Sequence, residues 1–145
     1  MCWITLQKEM SKYIGMRKHS LQLTNIEREA IDKKLKDISS WTMTRHATDR
    51  LAEKGIKATY DDIVSTVHNH EIIEYKIDYN DRLNRCQERV VVRSKARTNK
   101  NYNLNIVFNI TDKKIVTVWL NHIKDRHATL DWSIYNEDMK VFISA

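Results

Sequence analysis

The sequence predicts an α+β fold in which N-terminal helices pack on one face of a four-stranded antiparallel β-meander. Three observations carry that expectation. Apolar residues recur at helical spacing before residue 70, and they alternate with polar residues after it. The strand-like runs are joined by connections too short for crossover helices. A chain of 145 residues suits a single domain. We read it as N-terminal helices over 1–39, a helix pair plus meander core over 40–121, and a C-terminal tail over 122–145 that folds back with one short helix.

In the first helix Leu6, Met10, Tyr13 and Ile14 form a stripe, with Lys8, Lys12, Arg17 and Lys18 outside it. Thr24 followed by Glu27 reads as a capping box, because each side chain can satisfy the other's free amide. It opens a second helix that buries Ile26, Ala30, Ile31, Leu35 and Ile38. A third helix runs from about Thr44 to Lys54, with Gly55 where a left-handed C-cap fits. Thr59 caps a fourth, short helix carrying Ile63, Val64 and Val67. Four strands follow: Ile73 to Tyr79, Cys86 to Lys95, Tyr102 to Ile110 and Lys114 to Asn121. Alternation gives an apolar face of Val90, Val92, Leu104, Ile106, Phe108, Val116, Val118 and Leu120. The opposite face takes Gln87, Arg89, Val91, Arg93, Asn103, Asn105, Thr117, Trp119 and Asn121.

Composition narrows the chemistry. Two glycines and no proline leave no Gly-rich phosphate loop, Rossmann turn or nucleophile elbow, all of which need glycines where the backbone bends or approaches a ligand. No nucleotide cofactor is expected. Two cysteines without a CxxC spacing give neither a disulfide framework nor a Cys-rich zinc site, and a cytoplasmic location is expected. No apolar run approaches the ~20 residues of a membrane helix, and no secretion signal is evident.

The net charge of +6 is concentrated: residues 81–100 hold seven basic side chains and two acids. Arg89, Arg93, Lys95, Arg97 and Lys100 could attract a polyanion, or protect an edge strand from aggregation. Trp119 and Asn105 on the same face favour a nucleic acid, since one can stack on a base and the other bond it.

Six histidines supply groups that titrate near neutrality. His46 and Arg50, spaced i, i+4, share one side of the third helix at the margin of its buried stripe. That pairs a proton-transfer group with a phosphate-holding cation. The alternative is a border histidine and an arginine covering the core. His68 and His70 form an HxH without further ligands at metal-site spacing, so no metal is expected. Ser/His/Asp, Cys/His and paired-carboxylate arrangements have no supporting pattern.

The string Thr44-Arg45-His46-Ala47-Thr48-Asp49-Arg50-Leu51, with Gly55 and Ile56, resembles the opening of a widespread small prokaryotic domain family, S-x-H-A-x-x-R-x-x-x-R-G-I. Val90-Val91-Val92-Arg93 resembles that family's Arg-bearing strand, and Ile115-Val116-Thr117-Val118-Trp119 its last one. The family is grouped with the barnase–EndoU–colicin–RelE class of metal-independent ribonucleases. His46, Asp49 and Arg50, with Thr59 and Tyr60, are also similar to the RegB-like phage endoribonucleases. The resemblance covers roughly residues 40–121. It implies a phage or mobile-element protein that cleaves RNA by 2′-OH transesterification, with His46 as acid or base, Arg50 and Arg93 on the phosphate, and Thr117 bonding it. An ungapped placement puts the second catalytic histidine on Thr66, so His68 or His70 would have to take that role. His46 lies on a helix expected over the apolar face, whereas Arg93 and Thr117 lie on the other. They meet only if the helix crosses the sheet edge. The alternative function is a catalytically inactive protein that inhibits a host enzyme or defence complex, or binds nucleic acid without cutting.

Overall fold

The structure is a computed structural model that describes residues 2–53, 56, 58–97, 102–122 and 131–143. It is α+β. Four α-helices accompany a six-stranded, mostly antiparallel sheet among the described residues. The helices are α1 (Trp3–Met10), α2 (Asn25–Asp37), α3 (Arg45–Leu51) and α4 (Tyr60–His68). The strands are β1 (Arg17–His19), β2 (Thr42–Met43), β3 (His70–Asn80), β4 (Arg85–Arg97), β5 (Tyr102–Asn109) and β6 (Lys114–His122), in the order β1-β3-β4-β5-β6-β2.

The helices start where side chains can replace missing backbone partners. Thr24 accepts from the Glu27 amide at 3.1 Å, and Glu27 accepts from the Thr24 amide at 3.0 Å. Thr59 and Asp62 form the same reciprocal pair at α4, and Thr44 caps α3. One apolar cluster unites Met10 of α1, Ile31 and Leu35 of α2, and Ile63 and Val67 of α4 with Val90, Val92, Leu104, Ile106, Phe108 and Val118 of the sheet. Trp41 packs on Phe108 with ring centroids 4.6 Å apart.

Several expectations need correction. The sheet has six strands rather than four. Arg17 and Lys18, expected beside a helix, belong to β1, which pairs antiparallel with β3, and β2 pairs parallel with the start of β6. Ile26 is 80% exposed, because it lies five residues before Ile31 and so on another side of α2. Irregularities in the pairing at Ile72/Glu74 and Val107/Phe108 change which neighbours face inward. Ile72 and Ile115 are buried, and Val116, expected on the apolar face, is only partly buried. The expected C-cap glycine, Gly55, lies outside the described residues.

The C-terminal segment returns to the body as expected, with a 3₁₀ turn at Trp132–Ile134. It is tied down by polar groups. The Asn136 amide donates to the Arg17 carbonyl at 2.8 Å, and Lys18 Nζ donates to the Met139 carbonyl at 3.2 Å. The Phe142 amide donates to the Tyr75 hydroxyl, and the Ile143 amide to Glu88 Oε2. Tyr75 itself donates to Glu88 Oε2 at 2.6 Å, and burial together with that carboxylate pushes its phenol well above the ordinary range.

Candidate functional site

Cross-strand register assembles a polar row on the face opposite the apolar cluster. Arg93 of β4 pairs with Asn105 of β5, and Asn105 pairs with Trp119 of β6. One step along, Val91, Val107 and Thr117 form the next row. Side chains directly opposite on one face are close neighbours, so strand alternation alone brings Arg93, Asn105, Trp119 and Thr117 together. Arg93 Nε donates to Asn105 Oδ1 at 3.3 Å. Asn105 is buried, whereas Trp119 and Thr117 are partly exposed.

Arg89 lies further along the same face and faces Asp78, with an N–O distance of 3.4 Å. Lys95 and Arg97 occupy the exposed end of β4. Lys100 lies outside the described residues.

Helix α3 borders the edge of β6 and also places Ala47 in the apolar cluster, with Leu51 packed against it. Thr44 Oγ1 donates to the Val116 carbonyl at 2.9 Å, and Arg50 Nε donates to the Val118 carbonyl at 3.4 Å. These carbonyls belong to the edge of β6 that β2 leaves unpaired beyond Ile115. The helix therefore meets the edge that Thr117 and Trp119 flank. Ala47 supplies its buried contact, and His46 is exposed. Arg50 also pairs with Glu53 at 2.8 Å.

His68 and His70 lie elsewhere. His68 ends α4 on the helical side, exposed beside Tyr60 and Val64. His70 forms a clasp: its Nε2 is 2.6 Å from Asp32 Oδ1, and its Nδ1 is 2.8 Å from the Thr66 carbonyl. Both neighbours accept, so the ring joins α2, α4 and β3 and has no nitrogen left for a substrate proton. Thr66, where the ungapped placement puts a catalytic histidine, is buried and donates its hydroxyl to the Asp62 carbonyl.

Sequence reasoning passed over two acids on the polar side. Glu71 is the register partner of Arg93 and is exposed. It borders a cleft of about 310 Å³ also lined by Ser20, Arg28, Asp32, His70 and Lys95. Glu74 is tied to Arg17 at 3.0 Å and accepts from the Tyr135 hydroxyl at 2.9 Å; partial burial, reinforced by this carboxylate, pushes that phenol up to about 12. Neither acid stands out by sequence, because each lies in an alternating strand without a motif.

No group of three or more His, Cys, Asp or Glu side chains among the described residues is placed to hold a metal ion. No helix among them is long and apolar enough to cross a membrane. Comparison with protein families, with curated proteins and with solved structures finds no match for the chain.

Proposed function

We propose that the protein acts on RNA, with the polar sheet face and the bordering helix α3 as a metal-independent endoribonuclease site. The observation that supports this reading is the placement of α3. It sets the helix bearing His46 and Arg50 against the edge of the strand bearing Thr117 and Trp119. In the proposed reaction the ribose 2′-oxygen attacks the adjacent phosphorus while its proton passes to a base. The P–O5′ bond breaks, the leaving oxygen takes a proton, and a 2′,3′-cyclic phosphate remains. His46 serves as one of the two proton-transfer groups. Arg93 and Arg50 balance the charge that develops on the phosphoryl oxygens, and Thr117 bonds one of them. Lys95 and Arg97 at the end of β4, and Arg89 on the other side of Arg93, hold flanking phosphates. The fold is proposed to be of the RelE/RegB-like type, in a host-cell cytoplasm.

One observation favours a second reading. His68 ends α4 on the helical side, and both ring nitrogens of His70 are engaged by Asp32 and the Thr66 carbonyl, so neither is offered as a partner to His46. A protein with this arrangement could bind RNA, or a host protein, without cutting. Incubating purified protein with mixed-sequence RNA in excess EDTA separates the two. Cyclic-phosphate ends that disappear in His46→Ala support the nuclease. Intact RNA with the wild type, or undiminished cleavage by His46→Ala, refutes it.

A further inference from the structure

Asn105 holds the sharpest unassigned chemistry on the polar face. It is only 3% exposed, yet its amide nitrogen has no hydrogen-bond partner among the described residues. Its orientation is fixed rather than arbitrary. Arg93 can only donate, so the oxygen of the Asn105 amide faces Arg93 Nε and the NH2 group points away from it. That nitrogen is not one of the fully buried unpaired side-chain atoms, so the small exposed part of Asn105 leaves its donor open to an acceptor supplied from outside. Directly across the strand pair stands Trp119, partly exposed. The buried residues of α1, α2 and α4 belong to the opposite, apolar face, and α3 lies along the edge of β6. The indole thus lies on the face opposite that of the buried residues of α1, α2 and α4, and it keeps part of its surface exposed.

We propose that Asn105 and Trp119 form a seat for one unpaired base, so that the RNA bound here is single-stranded. This rests on the reading that the polar face meets RNA. The base stacks on the Trp119 ring while the Asn105 NH2 donates to a ring carbonyl or ring nitrogen at its edge. Arg93, two strands away at a spacing of about 5 Å per strand, takes the phosphate of the same nucleotide. The occupant is set by physical fit. Stacking needs a free π-face, and in a duplex both faces of each base are taken by its neighbours. Positive charge on β4 complements a phosphodiester strand and supplies no base preference of its own, which leaves the donor at Asn105 as the group that reads the base.

The test uses a short mixed-sequence 2′-O-methyl RNA, which lacks the nucleophile and stays intact, either alone or annealed to its complement. Binding is followed by fluorescence anisotropy. The single strand is expected to bind at least about tenfold more tightly than the duplex. Trp119→Leu, which keeps apolar bulk but has no π-face, loses about tenfold, and Trp119→Phe retains most of the affinity. Asn105→Asp removes the donor and weakens single-strand binding further than it weakens duplex binding. Circular dichroism identifies any variant that fails to fold, and the Phe and Asp variants carry the test if the Leu variant does. Equal affinity for duplex and single strand, no binding of the single strand, or an unchanged Kd in Trp119→Leu or Asn105→Asp overturns the seat. Cleavage of ordinary RNA is scored separately. Single-strand binding without cleavage removes the nuclease reading and leaves the seat, whereas cleavage with no strand preference removes the seat alone.

Discussion

Lys18 offers the most quantitative test of how the C-terminal segment is held. Its side chain is 7% exposed, and Nζ reaches both oxygens of Glu27 at 2.9 and 3.0 Å as well as the Met139 carbonyl at 3.2 Å. Lys18→Met keeps the apolar stem but strands the Glu27 carboxylate, which is 19% exposed, and leaves the Met139 carbonyl without this donor. Breaking one side of a buried ion pair costs roughly 3–5 kcal/mol. Glu27 keeps some solvent and the Thr24 amide, so the lower end, about 3 kcal/mol, is expected. For a domain of this size that lowers the thermal midpoint by roughly 6–12 °C. Lys18→Met combined with Glu27→Gln should recover about 1–2 kcal/mol, since the stranded charge is gone while the amide oxygen still accepts from Thr24. The pH dependence follows from Glu27. Partial burial pushes its carboxyl up, but the Thr24 amide and the Lys18 ammonium outweigh this and hold it below its ordinary value of 4.5. Its contribution is thus complete above pH 4.5 and is lost as pH falls through the folded-state value. Lys18→Met should flatten that acid limb. Urea titrations across the acid range measure both effects. A loss under about 1 kcal/mol, or a double variant no more stable than Lys18→Met, would refute the argument.

Other consequences can be checked by the same unfolding assays. Tyr75→Phe removes the donor to Glu88 and the acceptor of the Phe142 amide, and should cost about 2–4 kcal/mol by denaturant titration. Thr24→Ala and Thr59→Ala each remove a helix cap and should cost about 1 kcal/mol, additively, because the caps belong to different helices. His19 titrates below its ordinary 6.5, chiefly through burial and also through Arg28, with Glu74 opposing. The unfolded chain therefore takes up the proton first. The stability His19 contributes is full above pH 6.5 and is lost as pH falls through that value, so His19→Asn should reduce the difference in urea midpoint between about pH 8 and about pH 5.

The parts of the fold legible in the sequence are those whose cause is local. Thr24 and Thr59 cap helices because a cap depends on residues three apart, and each reads directly from the chain. Alternation in β4 and β5 places Val90, Leu104 and Phe108 inward because side-chain direction repeats every two residues. What was not legible depends on distant partners. β1 and β2 are three and two residues long, too short for any period to show, and exist through pairing with β3 and β6. Lys18 is buried because Glu27 and the Met139 carbonyl arrive from elsewhere, whereas charge alone predicts exposure. Glu88, on the apolar face of β4, is buried for the same reason, answered by Tyr75 and the Ile143 amide.

The candidate site divides along the same line. Arg93, Asn105, Thr117 and Trp119 share a face because three neighbouring strands keep their alternation through those positions, and the irregularity at Val107/Phe108 comes only beyond Thr117 in the pairing. A one-residue slip of β6 against β5 throughout the Asn105/Trp119 and Val107/Thr117 pairs would have turned both Thr117 and Trp119 to the other side. The position of α3 depends instead on a short edge strand. β2 ends at Met43, so the carbonyls of Val116 and Val118 need other donors, and Thr44 and Arg50 supply them. Arg50 thus has an architectural task in addition to any contact with phosphate: one guanidinium nitrogen closes a strand edge while others face outward with Glu53. That dual use separates Arg50 from His46, which is exposed, so His46→Ala is the substitution that tests chemistry without loosening the seam between α3 and β6.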